Sequence, residues 1–145
     1  GLVEVPGGGG SGEWQELANI VTSEDVSKFI VAIPQGLTNL VLYAEGNANS
    51  TKSAYCGFFK SGTKTGMVTI GLNRPRVVSK ISEVGEMIVF EYSNLGEYTD
   101  QAKTHYTGVE TTQKVGKLSE ANELQINAQY SEPFFAGYIL KVYGR

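Results

Sequence analysis

One cysteine, one histidine, one tryptophan and two aspartates occur among 145 residues. Each scarcity removes a class of chemistry. The lone Cys56 cannot close an intrachain disulfide, and it sits in the apolar run AYCGFF, where a thiol behaves as a small buried hydrophobe. One cysteine and one histidine do not supply the three or four ligands of a zinc site. A serine-type triad needs a base and an orienter, and the only nearby pair of that kind is His105 with Asp100, with no GxSxG motif in the chain. Glu97 and Asp100 offer oxygen donors without the DxDxDG-type loop that holds calcium. The run GGGGSG lacks the lysine of a phosphate-binding loop and does not lie between a strand and a helix. The 13 glutamates provide many carboxylate pairs, so no one pair marks a glycosidase. The expectation is a non-enzymatic protein with no cofactor and no metal.

Other shortages concern partners. No stretch approaches the roughly 20 apolar residues that span a bilayer, and the N-terminus carries neither a basic nor an apolar signal region. Net charge is -3 with no basic patch, which argues against nucleic acid or an anionic membrane as the main partner. Membrane insertion is not expected.

Glycine, by contrast, is abundant, with 18 residues against 4 prolines. Residues 1–12, GLVEVPGGGGSG, read as a flexible leader, because a glycine run has no side chains to pack. Residues 13–145 read as one folded domain, at 41% hydrophobic and 19% charged residues for the whole chain. Within it, KFIVAI, LTNLVLYAEG, AYCGFFKS, MVTIGL, RVVSKI, EMIVFEYS, HYTGVE, ELQINAQY and YILKVYGR read as short strands separated by turn formers. EWQELANI alternates imperfectly, with Glu16 and Leu17 looking exchanged. TSEDVS suggests a helical turn begun by Thr22 and Asp25, and another is expected near Ser119. About eight or nine short strands without a long helix predict an all-β fold, an antiparallel sandwich or barrel.

Tyrosine is the aromatic in excess, with 8 against 6 phenylalanines. Tyr55, Tyr98, Tyr106 and Tyr130 fall in loops or near strand ends by this reading. A tyrosine presents a flat apolar face and a polar tip. In GEYTDQAKTHY, the residues Tyr98, Asp100, His105 and Tyr106 combine aromatic faces with hydrogen-bonding groups, the chemistry that a saccharide needs. A solvated loop flanked by edge-strand tyrosines accounts for the same residues.

The opening EWQELANIVTSEDVSKFIVAI, the middle GLTNLVLYAEG and the ending LQINAQYSEPFFAGYILKVYGR resemble the C-terminal head domains of tail-fibre and baseplate proteins from phages of Gram-positive bacteria. The resemblance is carried by the tryptophan-bearing first strand, the acidic-Val-Ser turn, the Phe135–Gly137 turn and the terminal Tyr-Gly-Arg. It implies a jelly-roll-like β-sandwich, a homotrimer on an extracellular virion, contact with other tail proteins, and a receptor-binding role toward host cell-wall saccharide. A structural virion module that binds only protein is the alternative, and a β-sandwich hydrolase is a third possibility that the sparse catalytic residues disfavour.

Overall fold

The computed structural model describes residues 12–46, 54–70, 76–85, 87–94, 105–111, 117–128 and 133–145. Ten strands are described: β1 (Gln15–Val21), β2 (Lys28–Ala32), β3 (Asn39–Glu45), β4 (Ala54–Lys60), β5 (Thr63–Ile70), β6 (Arg76–Val84), β7 (Met87–Asn94), β8 (His105–Thr111), β9 (Glu123–Ala128) and β10 (Ile139–Gly144), with a single 3-10 turn at Leu118–Glu120. They form a six-stranded sheet, β1-β10-β3-β6-β7-β8, and a four-stranded sheet, β2-β9-β4-β5. Every pairing is antiparallel. The fold is an all-β sandwich, as the patterning implies.

The pairings are nested: β1 with β10, β2 with β9, β3 with β6 and β4 with β5. A ribbon paired in this way and wrapped over itself makes the two Greek keys of a jelly roll. Strands β7 and β8 extend the larger sheet beyond β6.

Strict alternation places the core. In β3, Leu40, Leu42 and Ala44 are buried, and in β10 Leu140 and Val142 are buried. They face Phe29 and Val31 of β2, Leu124 and Ile126 of β9, and Cys56 and Phe58 of β4 within one cluster. Ser79 of β6 is fully buried there, and its hydroxyl has no hydrogen-bond partner.

Three local expectations are revised. The irregular alternation of EWQELANI is a β-bulge: Glu16 opposes Tyr143 and Ala18 opposes Val142, so Leu17 has no partner of its own. The bulge lets Leu17, Ala18 and Ile20 all pack against the core. The stretch SGTKTG is not all turn. Only Ser61 (φ 48) and Gly62 (φ 87) form the loop, whose two positive φ values match a type I′ hairpin. Thr65 bulges between the Phe58–Gly66 and Phe59–Lys64 pairs, and its hydroxyl donates to the Phe58 carbonyl at 3.3 Å. Finally, TSEDVS forms no helical turn. Thr22 and Asp25 spend their side chains on a distant segment instead: the Tyr138 amide donates to Thr22 Oγ1 at 3.0 Å, and the Ala136 amide to Asp25 Oδ1 at 2.9 Å. The turn near Ser119 is the 3-10 element.

Candidate functional site

Strand direction divides the sandwich into two ends. At one end, the leader enters next to the C-terminus: Gln15 pairs with Gly144, the Arg145 guanidinium lies over the Trp14 ring at 4.5 Å, and Arg145 Nη1 donates to the Gly12 carbonyl at 3.5 Å. The Ser61–Gly62 loop, Gly85 and the 3-10 turn share this leader end. There Ser119 donates from its amide and hydroxyl to the Glu83 carboxylate at 3.3 and 3.2 Å, and the Gly36 amide donates to the Ser119 carbonyl at 2.7 Å.

The far end is built differently. Val21, Glu45, Ala54, Ile70, Arg76, Asn94, His105, Ala128 and Ile139 all mark strand ends there. The chain segments 47–53, 71–75, 95–104 and 129–132 join those strand ends. At this end Phe134 packs on Tyr138 at 4.8 Å and on Phe29 at 5.3 Å, with Phe29 and Tyr138 at 5.9 Å. All three are buried, and tilted aromatic packing at these distances is favourable. The bridge between Val26 and Phe134, with reciprocal backbone hydrogen bonds of 3.0 and 2.7 Å, ties this cluster to β2.

Of the expected contact residues, Tyr98 and Asp100 lie outside the described residues. His105 and Tyr106 are the first two residues of β8, opposite Ser93 and Tyr92 of β7. The ends of β7 and β8 that flank 95–104 are both at the far end. Of the other tyrosines, Tyr55 is the second residue of β4, at the far end, and Tyr130 lies outside the described residues. Phe135 enters the resemblance only as part of its turn and Val21 only within the opening run, yet both are exposed apolar residues at this end. Their polar neighbours Thr22 and Asp25 were the available signal, since both bind the backbone of the turn that carries Phe135.

Burial pushes the Cys56 thiol up, away from the reactive thiolate. Among the described residues no three His, Cys, Asp or Glu side chains converge as a metal site requires. The chain matches no family model, no curated protein and no solved structure.

Proposed function

We propose that this chain is a non-enzymatic receptor-binding head of a phage tail fibre or baseplate, which attaches the virion to carbohydrate on the host cell surface. The observation that carries the reading is the polarity of the sandwich. Leader and C-terminus meet at one end, while the strand ends flanking residues 95–104 lie at the other. A domain held by its leader presents the opposite end outward. The stretch attached there contains Tyr98, Asp100, His105 and Tyr106, which supply stacking faces and hydrogen-bonding groups for sugar rings. A homotrimer on the tail would add avidity, because linked sites convert later binding events into intramolecular ones.

Adsorption to host cells and to isolated cell-wall polymer tests the reading. Tyr98→Ala with Tyr106→Ala should weaken binding at least about tenfold, which is about 1.4 kcal/mol, without changing assembly. If the unaltered chain binds no host surface and no cell-wall polymer at micromolar concentration, the receptor role fails. If adsorption persists unchanged in the double variant, the site lies elsewhere.

A further inference from the structure

The outer face of the four-stranded sheet carries its own pattern. Three rows cross it. Lys28, Asn127 and Tyr55 are direct cross-strand neighbours, as are Ile30, Gln125, Gly57 and Met67, and then Ala32, Glu123, Phe59 and Lys64. Their neighbours in sequence, such as Phe29, Leu124, Ile126, Cys56 and Phe58, point into the core, so these residues stand on the solvent side.

Gly57 explains the shape of this face. A Cβ placed on it would come 3.0 Å from Phe59 Cε1 and 3.7 Å from Lys64 Cε. The Phe59 ring therefore leans along the strand over Gly57 rather than standing off the sheet, in the manner of an aromatic covering a glycine. Tyr55 follows four residues before it on the same strand face, about 13 Å away at strand rise. On the adjacent strand, Asn127 lies opposite Tyr55, and Gln125 lies opposite Gly57 at the level between the two aromatics. Flat rings flanked by planar hydrogen-bonding groups suit a chain of sugar rings longer than one unit.

Charge narrows the class. The chain is acidic overall, with net charge -3, yet this face presents the exposed Lys28 beside the Tyr55 row and the exposed Lys64 beside Phe59. Lys64 Nζ lies 5.9 Å from the Phe59 ring centroid. Among the described residues of the face the one carboxylate is Glu123, which accepts a hydrogen bond from the neutral amide of Gln125 at 2.8 Å and keeps its charge. The face thus carries two lysines against one carboxylate, with Lys28 level with Tyr55 and Lys64 level with Phe59.

We infer that the outer face of the four-stranded sheet is a second binding surface, for a saccharide chain bearing acidic groups, laid along Tyr55 and Phe59 between Lys28 and Lys64. It rests on residues of β2, β4, β5 and β9 alone and is tested separately from Tyr98 and Tyr106.

Titration of the isotope-labelled full chain, followed by amide NMR shifts, tests this with three probes: an oligogalacturonate, a phosphomannan oligosaccharide and the neutral maltohexaose. The two acidic probes separate carboxylate from phosphate as the source of charge. At least one acidic probe should shift the Gly57 backbone amide and the Gln125 and Asn127 side-chain amides, and bind at least tenfold more tightly than maltohexaose. Phe59→Ala should weaken it at least tenfold and Phe59→Tyr should restore it. Lys28→Glu with Lys64→Glu should remove the preference for acid. Tyr98→Ala with Tyr106→Ala should leave this titration unchanged even where cell adsorption is lost. Silence of the face toward both acidic probes at millimolar concentration overturns the inference. So do equal binding of the neutral probe, and shifts that appear only with protein concentration, which would mark the face as a contact between copies of the chain.

Discussion

The two ends of this sandwich are built on opposite terms. At the leader end, the described connections are tied down: a two-residue hairpin at Ser61–Gly62, the Arg145 stack on Trp14, and the Glu83 carboxylate bound to Ser119. At the far end, the described strands stop at the edges of 47–53, 71–75, 95–104 and 129–132, and the structure there is an aromatic cluster clamped by Thr22 and Asp25. Short turns match the strand twist and close a sheet economically. Long connections are where binding residues concentrate, on a scaffold that holds them in place. The difference teaches that the leader end is held by contacts between its connections, while the far end is braced by buried rings packed on one another.

The comparison breaks most directly at those rings. Tyr138→Ala removes a fully buried ring packed on Phe29 and Phe134. It should cost about 3–5 kcal/mol in urea unfolding, and a loss below about 1 kcal/mol would mean that the cluster supports nothing.

Two glycines sharpen the contrast, since each is pressed by neighbours at its own end. A Cβ on Gly46 would meet Tyr138 Cδ2 at 2.7 Å, and one on Gly144 would meet Leu37 Cδ1 at 2.7 Å and Leu17 Cδ1 at 3.0 Å. Overpacking should cost each alanine variant about 1–3 kcal/mol. Gly46 also has φ +142, which adds ~1 kcal/mol or more for a side-chain-bearing residue. Gly46→Ala should therefore melt below Gly144→Ala, and the reverse order would show that the leader end is the less yielding of the two.

A smaller change improves the leader end. Ser61 holds φ 48 at the first position of the type I′ loop, a conformation that asparagine adopts more readily than serine. Ser61→Asn should raise stability by about 1 kcal/mol or less, read as a higher melting temperature.

The smallest effect lies near the far end, where Glu45 closes β3. On the outer face of the larger sheet, the Tyr43 hydroxyl donates to Glu45 Oε2 at 2.7 Å. That hydrogen bond, followed by burial and the Glu45 charge, raises the Tyr43 pKa above its ordinary 10.0, against a lowering by Arg76. The neutral phenol is thus favoured in the folded state. Its contribution is present below pH 10 and is lost as pH rises through the raised value. Tyr43→Phe should flatten the alkaline fall of stability and leave neutral pH nearly unchanged. An identical alkaline limb in both proteins would show that the hydrogen bond does not persist in solution.

Much of the architecture could be read from residue order. Alternation in LTNLVLYAEG and YILKVYGR located β3 and β10, because a strand face repeats every two residues, while the buried face of each came from the structure. It failed locally at Leu17 and Thr65, where a bulge adds one residue and shifts the phase. It failed also at Thr22 and Asp25, whose side chains suit a helix cap but are taken by backbone amides more than 100 positions away. The candidate contacts were legible as chemistry, in the tyrosines and polar residues of GEYTDQAKTHY, but not as places.

What the chain determined by itself is the class of fold, the strand faces and the poverty of catalytic groups. Those follow from composition and from a period of two, which are local. What only the tertiary structure decided is the nested pairing that makes a jelly roll, the opposition of the Gln15–Gly144 pair to the strand ends that flank 95–104, and the meeting of Tyr55, Phe59, Gln125 and Lys64 on one face. These depend on which strands pair over long separations, and pairing is settled by the joint burial of both sheets rather than by any one segment.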